Sequence, residues 1–376
     1  MVYLDCNATT PMEPEVKEAM LTYMDQEFGN EGSRTHAYGM RAKQAVLKAR
    51  EEVASVVGAS KDEVIFTSGA TESNNLAIFG IKEWAKRNKK NHIISTAIEH
   101  KAILEPLEKL AKEGFDVDLI PPERNGIVSP QKIHRAVRKD TFLISVMHAN
   151  NETGAVQPIN EIADKIRHTD AILHVDAAQT FGKVFGILDN KRINMISVSA
   201  HKIFGPKGIG ALIYREEQSS EKILEPLILG GGQEMGFRSG TLPVHLIVGF
   251  GKASSLALKN YEKRNKKNIE YRQQITRIFS SYDFCLNGDE KKTLPHVLNF
   301  SIPTLTSEAL IIALKDVIAI SNGSACTSTS YKNSYVLQAM GLEEDKIKGS
   351  VRLSWCHLTP CLEKNLVDKA LSVLLD

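Results

Sequence analysis

Five cysteines in 376 residues, none of them paired as CxxC, are too few and too irregular for a disulfide framework or a thiolate metal knot. Their odd number points to a reducing compartment. Neither sign of charge prevails. Lys and Arg total 47 against 45 Asp and Glu, a formal net charge of +2, so nothing electrostatic calls for nucleic acid or a membrane as partner. No apolar run is long enough to span a bilayer. The amino-terminal end reaches Asp5 and Asn7 without the apolar core of a signal peptide, and a cytoplasmic location is expected. Internal repeats and low-complexity stretches are also missing. What is present, 42% hydrophobic and 24% charged residues, describes an ordinary globular chain long enough for two domains.

Strand-like and helix-like segments alternate from residue 60 to 215, the pattern of a parallel sheet covered by helices. Strands are expected at 64–67, 92–95, 142–146, 171–175 and 193–199. A long, mostly polar helix is expected over 246–281. Its basic stretch 259–267 is interleaved with Glu262 and followed by Glu270, which makes it a solvated face rather than a nucleic-acid patch. Beyond it, strands at 297–302 and 351–354 and a helix at 307–314 form a smaller α+β unit.

Two of those strands end on chemistry. The run 193–199 is followed by Ser199-Ala-His-Lys202, and 171–175 ends on Asp176. Ligands of α/β sheets bind outside the carboxyl ends of parallel strands. An amine and a carboxylate there are what pyridoxal 5'-phosphate (PLP) needs. The amine holds the aldehyde as a Schiff base, and the carboxylate keeps the ring nitrogen protonated. Each residue alone reads equally as a surface lysine or a helix-capping aspartate. Gly69-Ala-Thr-Glu72, between a strand and a helix starting near Ser73, is a ready anion site or a simple N-cap by Thr71.

Eight motifs in order reverse that balance: Tyr3-Leu-Asp-Cys-Asn-Ala-Thr-Thr-Pro11, Phe66-Thr-Ser-Gly-Ala-Thr-Glu-Ser-Asn-Asn75, Glu99-His-Lys101, Asn150-Asn-Glu-Thr-Gly154, His174-Val-Asp-Ala-Ala-Gln179, Ser199-Ala-His-Lys202, Gly236-Phe-Arg-Ser-Gly-Thr-Leu-Pro243 and Ser324-Ala-Cys-Thr327. With them the chain resembles the cysteine desulfurases, PLP-dependent enzymes that strip sulfur from L-cysteine. The resemblance implies a fold type I, aminotransferase class V-like α/β architecture. It would have a large PLP-binding domain over 13–255 and a small α+β domain built from 1–12 and 256–376. It also implies a homodimer. Lys202 would carry the cofactor and Asp176 its ring nitrogen. Ala70, Thr71, Ser199 and His201 would hold the phosphate, with Thr241 reaching the phosphate of the neighbouring subunit. His100 would stack on the ring and shuttle protons, Gln179 would meet the ring hydroxyl, and Asn151 and Arg352 would bind the substrate carboxylate. An arginine fork suits a carboxylate, and Asn151 serves equally the ring hydroxyl.

Cys326 lies in a stretch of small polar residues without apolar periodicity, unlike Cys6, Cys285 and Cys356. The resemblance makes it the persulfide carrier on an extended loop, as in the first desulfurase group, passing sulfur to an acceptor protein docked nearby. No resident metal is expected; a site of Cys326, Cys356 and Cys361 is the weak rival. One departure stands out. Arg352-Leu-Ser-Trp-Cys-His357 replaces the family's usual Arg-x-Ser-x-Gly, a version that resembles the DNA-phosphorothioation branch. The acceptor stays open among iron–sulfur assembly, tRNA thiolation and DNA phosphorothioation. Rival readings are a selenocysteine lyase or aminotransferase of the same fold, and a catalytically silent scaffold.

Overall fold

In the computed structural model, residues 1–215, 223–302, 305–323 and 333–375 are described. Seven strands build the central sheet, in spatial order Val64–Thr67, Gly210–Tyr214, Met195–Ser199, Ile172–Asp176, Thr141–Met147, His92–Thr96 and Asp116–Ile120. Every residue of Thr141–Met147, Ile172–Asp176, Met195–Ser199 and Gly210–Tyr214 is buried, because helices cover both faces. Such strands read as continuous apolar runs rather than alternations.

Six strands run one way, and Gly210–Tyr214 runs against both neighbours. The connection explains the reversal. Only residues 200–209 separate it from Met195–Ser199, and a parallel return needs a crossover of a dozen residues or more. The sheet is therefore mixed. The register places Thr67 and Ser199 on either side of Gly210, so the loops after both strands leave the sheet together. Only glycine fits there: a Cβ would lie 2.4 Å from the Val198 carbonyl oxygen and 2.6 Å from the Gly69 Cα.

Two apolar clusters sandwich this sheet, with Val64 and Phe66 in one and Ile65 in the other, as the two-residue strand period requires. Helices Ala37–Ser55 and Val244–Phe279 cover the first face, and Ala70–Phe79 and Lys101–Lys112 cover the second. Helix Val244–Phe279 buries Phe250 in the first cluster, then Ile275 and Phe279 in a third beneath the antiparallel sheet Ser350–Ser354, Val297–Ser301 and Cys285–Leu286. Trp355 belongs to that third core, and its Nε1 donates to the Asn268 carbonyl at 3.0 Å. The amino-terminal strand Val2–Tyr3 pairs in parallel with Ile318–Ala319. No described helix is long and apolar enough to cross a membrane.

Titratable groups buried in the sheet set an expected pH profile. Burial pushes His148 and His174 down to about 4, and His174 stays neutral between the Ser145 and Ser197 hydroxyls at 2.9 Å each. Their contribution to stability is whole above pH 6.5 and is lost as pH falls toward 4. Burial instead pushes Glu99 up to about 8, so its contribution is whole below 4.5 and is lost as pH rises toward 8. Thermal unfolding of each variant beside the wild type isolates the two effects. His174→Gln should lessen the loss of midpoint as pH falls from 6.5 toward 4, and Glu99→Gln should lessen the loss, or steepen the rise, as pH climbs from 4.5 toward 8. Variant and wild-type profiles that stay parallel across these ranges would contradict the assignments.

Candidate active site

The carboxyl ends of the parallel strands open into a cavity of roughly 540 Å³, within the size range of small-molecule sites. Its walls include Ala70, Thr71, His100, Asn151, Asp176, Gln179, Ser199, His201, Lys202 and Arg352, residues drawn from five separate sequence motifs and from the strand Ser350–Ser354.

Asp176 ends its strand buried, with each carboxylate oxygen fixed by one donor. Asn74 Nδ2 donates to Oδ2 at 2.8 Å and the Ala178 N–H to Oδ1 at 2.9 Å. Glu99 lies behind it, fully buried. Its raised pKa, due first to burial and also to the charge of Asp176, leaves Glu99 uncharged at neutral pH. Lys202 closes a single 3₁₀ turn, Ala200–Lys202, directly after Ser199. Its Nζ donates to the carbonyls of Asn7 at 2.5 Å and Ala8 at 3.0 Å.

The anion cradle differs from the sequence expectation in one respect. Helix Ala70–Phe79 begins three residues before Ser73, so Thr71 sits inside its first turn and is no N-cap. Gly69 holds that place at φ +152°, and no side chain caps the helix. A side-chain cap contributes about 1 kcal/mol; forgoing it leaves the first N–H groups of the helix open toward the cavity. His201, pushed down to about 4 by burial and by Lys202 and Lys207, stands neutral against the Thr9 hydroxyl at 3.1 Å.

Gln179 is buried in a turn, not on a helix surface; its Nε2 donates to the Asn7 carbonyl at 3.0 Å. Its Oε1, with Asn7 Oδ1, Asn74 Oδ1 and Asn151 Oδ1, is buried without a hydrogen-bond partner among the described residues. Four orphaned amide oxygens on residues of one cavity mark a polar ligand. His100 caps helix Lys101–Lys112 by accepting the Ala102 N–H at Nδ1, 3.1 Å away, which puts the neutral ring's proton on Nε2. Arg352 is buried. Its Nη2 meets Asp5 Oδ1 at 2.5 Å, its Nη1 donates to the Asn151 carbonyl at 2.8 Å, and its Nε has no partner among the described residues.

Two candidates stand apart. Thr241 is exposed and does not line the cavity. The loop before it is pinned by the buried Arg50–Glu234 ion pair at 2.6 Å and by Arg238–Glu72 at 2.9 Å, the latter on the first turn of helix Ala70–Phe79. Cys326 lies outside the described residues; Gly323, just before that segment, lines the cavity. Sequence reasoning gave no role to Asp5, Asn7, Ala8, Asn74 or Glu99. Each except Ala8 is an amide or acid inside a quoted motif, and residue type in a motif was the only available signal. No group of three or more His, Cys, Asp or Glu among the described residues is arranged to hold a metal.

An amine, a braced carboxylate, an open helix N-terminus and an arginine around one cavity form a set of donors that suits a phosphorylated pyridine aldehyde. Residues 2–361 match the model of the aminotransferase class-V family. The cysteine desulfurase IscS of Vibrio cholerae is 43% identical over 378 residues, covering 100% of this chain and 93% of the relative. The chain belongs to this family, among its cysteine desulfurases. Its structure is similar to that of DndA from Streptomyces lividans, at 45% identity and a TM-score of 0.83, covering 93% of this chain and 98% of that one. It is also similar to SspA in complex with cysteine, at 37% identity and a TM-score of 0.84, covering 94% and 98%. In this family the cofactor is PLP.

Proposed function

We propose that this chain takes sulfur from L-cysteine with bound PLP, holds it as a persulfide on Cys326 and releases L-alanine. The convergence of Lys202, Asp176, the uncapped start of helix Ala70–Phe79 and Arg352 on one cavity carries the reading. PLP supplies an aldehyde that condenses with amines and a protonated ring that takes up electrons from the substrate.

Lys202 holds the cofactor at rest; Asp176, braced by Asn74 and Ala178, meets the ring nitrogen. Uncharged Glu99 adds no second negative charge there. The phosphate is held by the N–H groups of Ala70 and Thr71, with Ser199 and His201 beside them, and the ring hydroxyl by Gln179 and Asn151. Arg352, fixed by Asp5, binds the substrate carboxylate. Lys202, once displaced, moves the α-proton. His100, with Nδ1 committed to Ala102, exchanges its Nε2 proton with the substrate. The Cys326 thiolate attacks the substrate sulfur. The C–S bond breaks, its electron pair stays on carbon, which takes a proton to become alanine, and the sulfur remains on Cys326.

The division into 13–255 against 1–12 with 256–376 is part of this reading, supported by the pairing of Val2–Tyr3 with Ile318–Ala319. So are a cytoplasmic location and a protein acceptor near Cys326. The Trp355-Cys356-His357 pattern favours the phosphorothioation route among the three.

A homodimer completes each site, since Thr241 is exposed on a pinned loop away from its own chain's cavity. In one experiment, Lys202→Ala and Thr241→Asp chains are mixed after unfolding and refolding, and alanine and sulfide are followed from L-cysteine with excess dithiol. The wild type should form the two products one for one. Each variant alone should be nearly inactive, and the mixture should regain activity because every mixed dimer keeps one intact site. Failure of the wild type to form alanine would end the functional reading. An inactive mixture would end the shared site.

A further inference from the structure

A second cavity shares no wall residue with the first. It encloses about 30 Å³ between Cys6, Lys183, Phe204, His296, Trp355 and Cys356. Cys6 and Cys356 are both buried and pack together against Phe204. The backbone fixes the pair from both sides: the Cys6 N–H donates to the Ser354 carbonyl at 2.9 Å, and the Cys356 N–H donates to the Thr359 hydroxyl oxygen at 2.9 Å.

The surroundings divide the labour between the two sulfurs. The Cys6 thiol packed beside it, then the Leu358 N–H, the Thr359 hydroxyl and His357, outweigh burial and pull Cys356 down to about 6. The same contact, with burial, pushes Cys6 well above the usual thiol range. Cys356 is thus a thiolate with a thiol held against it, the starting arrangement for disulfide formation. Lys183, pushed down to about 8 by burial, supplies a nearby proton. Size selects the oxidant. A water-sized molecule needs about 10–15 Å³ of such space, so the cavity admits a hydroperoxide and excludes a low-molecular-weight disulfide.

We propose that Cys6 and Cys356 are a peroxide-reactive dithiol that closes to a disulfide tying the amino-terminal segment to the chain leaving strand Ser350–Ser354. The Cys356 thiolate attacks one oxygen of hydrogen peroxide. The S–O bond forms, the O–O bond breaks, and the departing hydroxide takes a proton to become water, leaving a sulfenic acid. The Cys6 sulfur then displaces that hydroxyl. The S–S bond forms, the S–O bond breaks, and the Cys6 proton leaves with the hydroxide as a second water. Two thiols lose two electrons and one peroxide becomes two waters. The bond forms beside Asn7, whose carbonyl holds Lys202 and Gln179.

The test uses PLP-loaded Cys326→Ser protein, which removes the loop thiol's own oxidation, exposed to hydrogen peroxide and mapped by mass spectrometry without reductant. Expected is a peptide containing Cys6 joined to one containing Cys356, two hydrogens lighter and separated by dithiothreitol. In the added Cys6→Ser variant, Cys356 should be trapped as sulfenic acid by dimedone and should progress to sulfinic acid. The proposal is overturned if Cys6 and Cys356 both remain free to alkylate on unfolding while exposed Cys361 is oxidised. It is equally overturned if Cys356 of the Cys326→Ser protein reaches sulfinic acid with Cys6 unmodified. Either result is read from that protein alone, so a misfolded Cys6→Ser variant does not shield the idea.

Discussion

Lys202→Ala should lose the cofactor adduct that borohydride fixes on the wild-type chain, and turnover of L-cysteine should fall by on the order of 10³–10⁴-fold or more. The size of the effect follows from the amine's two tasks, anchoring the cofactor and carrying the α-proton. Its position after Ser199, held by two carbonyls of the amino-terminal segment, keeps it in place for both. The side chain is only half buried, so stability should shift by no more than about 1 kcal/mol. An intact thermal midpoint with lost trapping separates a chemical role from a structural one. Lys207 lines the same cavity and is the internal control. Borohydride trapping that survives Lys202→Ala and vanishes in Lys207→Ala would move the anchor.

Cys326→Ser should bind L-cysteine normally, with the same change in cofactor colour as the wild type, yet make neither sulfide nor persulfide. A hydroxyl is a far poorer nucleophile toward sulfur than a thiolate, so the loss should approach the background rate. Cofactor binding should be untouched, because the groups that bear it are anchored elsewhere, Asp176 through Asn74 and Gln179 through Asn7.

How much of this was legible beforehand varies with the kind of interaction. Strand Val64–Thr67 and helix Ser307–Leu314 lie where their apolar patterns put them, because burial on both sides leaves an unbroken run and helical spacing has its own period. The reversed strand Gly210–Tyr214 was not legible as such. Its direction depends on the brevity of the connection at 200–209, which carries no side-chain signature. The early start of helix Ala70–Phe79 was hidden for a related reason. Gly69 takes the capping position without a hydroxyl or carboxylate to announce it. Ten of the candidate site residues share one cavity, as strand-end placement and motif order suggested. Asn7 and Ala8 escaped notice because they act on Lys202 through backbone carbonyls, which no residue type encodes. Cys6 and Cys356, 350 positions apart in sequence, could be recognised only as two separate buried cysteines. Their contact depends on the amino-terminal segment returning to the strand that bears Arg352.

Where the sulfur rests is the most direct test of the whole account. The wild-type protein, incubated with L-cysteine and no acceptor or reductant, is digested at acid pH and its cysteine peptides are weighed by mass spectrometry. The expected result is a gain of one sulfur on the peptide bearing Cys326, with one alanine released per sulfur gained. A gain on the Cys356 or Cys361 peptide instead, or alanine formed at full rate by Cys326→Ser, would contradict it.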